Sequence, residues 1–166
     1  MSPTNEAAAA SGDAAYEARL ADWIARHAVA GDLVRFAVRC HTVAEAAAAA
    51  GAAPEDLVKN ICLIDASDRL IVAIVKGTDR VSTTRIGNLD GGVRPRLADP
   101  DEILARTGFP CGGTPSFGYP ARFMIDPRVM EHAWIWTGGG SQRALVRIAP
   151  RELLRANGGE VARVRK

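Results

Sequence analysis

Residues 59–77 read KNICLIDASDRLIVAIVKG, two apolar runs of strand length held apart by the polar tetrapeptide Asp65-Ala66-Ser67-Asp68. Runs of this kind bounded by turn residues form strands, so the stretch predicts a β-hairpin with a polar turn. On its first strand Lys59 shares a face with Ile61 and Leu63, while Val58, Cys62 and Ile64 take the other. A charged amine therefore heads a strand whose faces are both largely apolar. Such a lysine either reaches along its stem to the sheet edge or holds an anionic or carbonyl oxygen of a ligand. Lysine is scarce here: 18 of the 21 basic residues are arginine, leaving Lys59, Lys76 and Lys166.

Working upstream, Pro54, Glu55 and Asp56 predict a helical turn leading into Val58. Thr42 precedes VAEAAAAAG with Glu45 three residues on, a capping box that opens a short helix closed by Gly51. Leu33 to Cys40 alternates in the manner of a half-buried strand. Tyr16, Leu20, Trp23, Ile24 and His27 recur at helical spacing, predicting a first helix over 16–30 after a mobile, Ala-rich segment 1–15. Downstream, Thr83–Leu89 reads as a short helix and VRPRLA (93–98) as a strand. Asp99-Pro100 opens a helix closed by Gly108. Gly108 to Pro120 is uncharged and rich in glycine and proline, hence irregular. Strands follow at 121–126, 132–136 and 143–148, then a helix over 150–156 ended by Asn157-Gly158, and a last strand over 160–164. The order implies one compact α+β domain over 16–166, with a mixed, curved, barrel-like sheet and flanking helices.

Composition narrows the function. With 48% hydrophobic and 24% charged residues the chain is an ordinary globular one, and no apolar run approaches the roughly 18 residues of a membrane span. Residues 1–15 lack the basic and apolar regions of a signal peptide, so a cytoplasmic location without a membrane partner is expected. Three separated cysteines, Cys40, Cys62 and Cys111, point to free thiols. His27, His41 and His132 show no ligand spacing, so neither a metal nor another cofactor is expected. The net charge of +2 hides an asymmetry: residues 1–57 hold eight acids and four bases, the remainder eleven acids and seventeen bases. Arg143, Arg147, Arg151, Arg155, Arg163, Arg165 and Lys166 crowd the C-terminal stretch, either as a solvated surface or as a contact for a polyanion.

No GxSxG, HExxH, Walker A or dinucleotide-binding motif is present. What remains are Lys59 and two uncharged glycine loops, GGTPSFG at 112–118 and GGGS at 138–141. Each loop is either a tight turn or a cradle whose backbone N–H groups approach an oxygen without a side chain in the way. His41 reads as a neighbour of the Thr42 cap, His132 as a strand residue, and Asp126-Pro127 either as a turn or as a carboxylate at a strand end facing a ligand. A Cys111 nucleophile lacks a histidine placed by sequence to activate it.

In order, HTVAEAAAAAG, DLVKNICLI, KGTDR, EILARTGFPCGGTPSFGYP, HAWIWTGGG and APRELLRANGGEVARV resemble the YbaK-type aminoacyl-tRNA deacylases, themselves similar to the editing domain of bacterial prolyl-tRNA synthetases. The resemblance runs from about Leu33 to Val164. It implies a trans-acting domain that hydrolyses the ester of mischarged tRNA, meets its acceptor end and uses no cofactor, working either alone or beside an aminoacyl-tRNA synthetase. Lys59 would hold the terminal nucleotide and the aminoacyl carbonyl, with Asn60 lining the same pocket. Gly112, Gly113, Thr114, Pro115 and Ser116 would position the ester, and Gly138, Gly139 and Gly140 would lie near the aminoacyl group. Attack would come from water assisted by a hydroxyl of the terminal ribose. The family loop is often Gly-x-x-x-Pro, whereas here Ser116 holds the last position and proline stands one residue earlier; the expectation is either a loop less rigid where it meets the substrate or a hydroxyl added to the pocket. A non-catalytic module that binds tRNA or a synthetase on the same fold is the alternative.

Overall fold

The structure, a computed structural model, describes residues 3–166. Helix α1 runs from Pro3 to Arg26. The helix expected to begin at Tyr16 thus begins thirteen residues earlier, because alanine has the best intrinsic helix propensity and the alanines on either side of Ser11-Gly12 carry the helix through that weak point. Met1 and Ser2 of the expected mobile segment lie outside the described residues. The helix also ends before 30: Ala28 takes a left-handed φ of 49°, and the His27 ring stacks on Trp23 at 3.9 Å.

The hairpin is as expected, β2 (Val58–Ile64) against β3 (Leu70–Lys76) in antiparallel register from Val58↔Lys76 to Ile64↔Leu70. From Leu70 to Val75 β3 is buried on both faces, as befits a central strand. β3 pairs in parallel with β5 (Arg122–Ile125), and β5 with β8 (Glu160–Val161). β4 (Arg96–Leu97) joins the far end of β2. The expected single sheet is two: the five-stranded sheet β4-β2-β3-β5-β8, and a three-stranded antiparallel one of β1 (Gly31–Arg35), β7 (Ala144–Ile148) and β6 (Ile135–Gly138). They meet where Leu57, just before β2, bridges to Trp136.

The split gives one edge of β2 two occupants. Leu63 and Ile64 pair with β4, Leu57 touches β6, and no strand covers Lys59 to Ile61 between them. That gap is where the candidate site lies.

The remaining helices are α2 (Val43–Ala50), α3 (Thr83–Leu89), α4 (Pro100–Thr107), α5 (Pro127–Met130) and α6 (Pro150–Asn157), with a 3₁₀ turn at Pro54–Asp56. Their starts follow local chemistry. Thr42 and Glu45 form a capping box on α2, and Asp99 and Glu102 another on α4. Gly51, Gly108 and Gly158 end α2, α4 and α6 in left-handed conformation. The main core gathers Leu20, Phe109, Phe117, Ile135, Val146 and Leu153 with one face of the larger sheet. A second cluster on the opposite face holds Ile71, Val75, Ile86, Met124 and Val164. A third packs Ala46 and Ala47 of α2 over Leu57, Leu145 and Trp136.

Candidate functional site

A cavity of about 250 Å³ opens at the uncovered edge of β2. Lys59, Asn60 and Ile61 form one wall; Cys111, Gly112 and Thr114 form a second; Trp136, Thr137 and Gly138 of β6 form a third; Cys40 to Val43, at the start of α2, form the fourth. Each wall owes its place to a local device. Glu45 accepts hydrogen bonds from the amides of both His41 and Thr42 at 3.0 and 3.3 Å, so the α2 cap also fixes the cavity mouth.

Asn60 is the knot of the site. Its Nδ2 donates to the Thr114 carbonyl and to Thr137 Oγ1, both at 3.0 Å. Ser116 Oγ donates to Asn60 Oδ1 at 2.6 Å and also lies 2.6 Å from Thr137 Oγ1. With the Ser116 proton given to Asn60, Thr137 donates back to Ser116 and the three side chains close a ring in which every donor is used. Ser116 and Thr137 are fully or almost fully buried. The Ser116 hydroxyl therefore does not line the cavity; from behind the wall it bonds two residues that do and ties loop to strands.

The two glycine loops pack on each other as bare backbone. Gly140 donates its amide to the Gly113 carbonyl at 2.8 Å, and a Cβ on Gly138 would sit 2.2 Å from the Thr114 carbonyl oxygen. Glycine at 138 is thus required by close approach. Of the residues expected at the site, Lys59, Asn60, Gly112, Thr114 and Gly138 line the cavity. Gly113, Pro115, Ser116, Gly139 and Gly140 stand behind its wall, where Pro115 accepts a 2.6 Å bond from the Tyr119 hydroxyl. Among the described residues the Gly112 and Thr114 amides have no intramolecular acceptor, and both residues face the cavity.

Lys59 is half-buried. Burial, reinforced by the Arg80 guanidinium and opposed by Asp79, lowers its ammonium below the ordinary lysine value. Among the described residues no carboxylate forms an ion pair with it. It is a cation free to meet a ligand oxygen. Sequence reasoning missed Thr137, His41 and Cys111 as wall residues, since nothing local marks a strand threonine or a histidine beside a cap. Cys111 is exposed at the cavity while Cys40 and Cys62 are buried, and burial pushes the Cys62 thiol up to about 12. No hydrogen bond joins Cys111 to His41 among the described residues. His132 instead lies 3.4 Å from Asp56. Asp126 turns away from the cavity into the C-terminal segment, where it accepts from the amides of Val164 and Arg165 and from the Arg165 guanidinium.

Fold and site together define a single-domain α+β protein whose cavity combines apolar walls such as Val43, Ile61 and Trp136 with short polar side chains, glycine backbone and one lysine. The chain belongs to the aminoacyl-tRNA editing domain family, which it matches over residues 38–156. It is 23% identical over 124 residues to the uncharacterized protein YwhH of Bacillus subtilis (strain 168), covering 74% of this chain and 78% of that one. Among solved structures it is similar to a candidate trans-editing enzyme for prolyl tRNA synthetase, with 28% identity and a TM-score of 0.85 over 91% of this chain and 97% of that one. It is also similar to the hypothetical protein APE2540, with 29% identity and a TM-score of 0.83 over 89% and 99%. No helix among the described residues is long and apolar enough to cross a membrane.

Proposed function

We propose that this protein is a free-standing, trans-acting deacylase that hydrolyses the ester of mischarged aminoacyl-tRNA. The observation that carries the reading is the cavity itself: a lysine without an ion-pair partner and the unengaged amides of Gly112 and Thr114 share one space at an uncovered strand edge. Its family, and its likeness to a candidate trans-editing enzyme, agree with that chemistry.

In the proposed reaction the acceptor end enters the cavity and the ester carbonyl lies against Lys59 and the loop amides. Water adds to the carbonyl carbon, negative charge develops on its oxygen, and the ammonium and N–H groups stabilise that charge. The acyl–oxygen bond breaks and the ribose oxygen leaves with a proton, giving free amino acid and uncharged tRNA. No side-chain nucleophile, metal or organic cofactor takes part. Positioning in a partly dry site and fixed donors supply the rate.

Deacylation of a panel of mischarged tRNAs by the wild type and Lys59→Ala tests this. The expected result is turnover of at least one member, with the variant slower by about 10²-fold or more, the usual cost of one oxyanion donor. The ammonium is lost as pH rises through its lowered value, so the wild-type rate should decline at a pH below the ordinary lysine range. Equal rates would remove Lys59 from the mechanism. Absence of turnover, with aminoacyl-tRNA protected from spontaneous hydrolysis, would identify a binding module instead.

A further inference from the structure

Trp134, one residue before β6, is 46% exposed and is the one aromatic among the large exposed hydrophobics of the described residues. An indole left half in water forgoes much of the stabilisation its burial would give. The Arg147 guanidinium lies over the ring, with Cζ 4.3 Å from its centroid. Arg147 forms no ion pair with a described carboxylate, and Asp32, its register partner on β1, does not pair with it. The ring thus holds the guanidinium at its face, and no described carboxylate takes up its N–H groups.

The pair lies on the same sheet face as the cavity wall. Arg147 is the register partner of Trp136 across β6 and β7, and opposed residues share a face. Trp136 lines the cavity. Residues two apart along a strand share a face at about 7 Å, which brings Trp134 next after Trp136 on the part of the sheet that α2 leaves open. Cavity, Trp136, then the Trp134–Arg147 pair form a continuous track.

We propose that Trp134 and Arg147 form a stacking platform for an unpaired nucleobase adjoining the nucleotide held in the cavity. This rests on the acceptor-end reading above and extends it by one residue of RNA. The open face of the indole takes the base, and the guanidinium edge takes a backbone phosphate. Every base has a π face, so the contact is tolerant of sequence and selects single-stranded over paired RNA.

Two RNA hairpins with the same stem, one bearing a four-nucleotide 3′ overhang and one blunt, test the proposal by fluorescence anisotropy with the full-length protein at fixed salt. The wild type should prefer the overhang. Trp134→Ala should weaken overhang binding by about tenfold and leave the blunt hairpin unchanged, and Trp134→Phe should retain most of the affinity. Arg147→Leu should weaken overhang binding and make its dependence on log salt shallower by about one phosphate contact. Trp134→Leu, which keeps apolar bulk without a π face, replaces the alanine variant should that fail to fold. Unchanged overhang affinity in the variants without a π face, or an equal loss on both hairpins, would overturn the platform. Binding is read without turnover, so a protein that binds the overhang through Trp134 but hydrolyses no ester defeats the deacylase reading and leaves the platform standing.

Discussion

Asn60, Ser116 and Thr137 come from β2, the first glycine loop and β6, and each satisfies the next. Removing one member leaves a buried polar partner unmatched, at a cost of about 1–3 kcal/mol. Ser116→Ala and Thr137→Val should each lower the urea unfolding free energy by that amount. The double variant should lose less than the sum by at least about 0.5 kcal/mol, because the second substitution removes a group already left without its partner; strict additivity would mean that the ring is not a unit. Ser116 shows where the sequence stops being informative. Its departure from the usual loop proline is visible at once, but the direction of its hydroxyl depends on a strand 21 residues further along. Lys59 is conspicuous on its own, as a charged head of an apolar run in a chain with three lysines.

At the scale of the element, signals carried by neighbours in sequence were legible. The capping boxes at Thr42–Glu45 and Asp99–Glu102 form as their spacing requires, and both helices end at the expected glycines. Because Thr42 Oγ1 accepts the Glu45 amide at 3.1 Å, Thr42→Ala should cost about 1 kcal/mol of stability, measurable as a lower denaturant midpoint with unchanged slope. Elements set by distant partners were less legible. The alternation of Leu33 to Cys40 predicts one long strand, yet β1 stops at Arg35 because β7 supplies regular pairing only that far. Beyond it Phe36 and Cys40 bond irregularly to Arg143 and Gln142, and Val38 is exposed. Nothing local tells β2 that its edge will be divided between β4 and β6, and the division into two sheets is invisible for the same reason.

Across the whole molecule the arginine-rich C-terminal stretch is partly committed to structure. Arg155 pairs with Glu152, and Arg165 with the fully buried Asp126. Burial acts to raise the Asp126 carboxyl, but the amides of Arg128, Arg165 and Val164 together with the Arg165 guanidinium outweigh it and hold the group below its ordinary value. A carboxyl depressed in the folded state stabilises above its unfolded pKa, and that stability is lost as pH falls through the folded one. Acid titration of folding should therefore show the wild type losing stability below about pH 4, with a shallower decline in Asp126→Asn from a lower starting stability. Parallel curves would deny Asp126 that role. The N-terminal helix is likewise integral: Leu20 is fully buried, and Ser141 of the second glycine loop donates to Glu17 at 2.7 Å.

The divided edge of β2 also bears on how such a protein can change. Its cavity opens where two sheets part company, and the first glycine loop and the segment leading into α2 supply the walls that the strands leave out. Wall residues that stand outside the strands, such as His41 and Cys111, can therefore be exchanged to reshape the opening while the strand pairing that creates it stays in place.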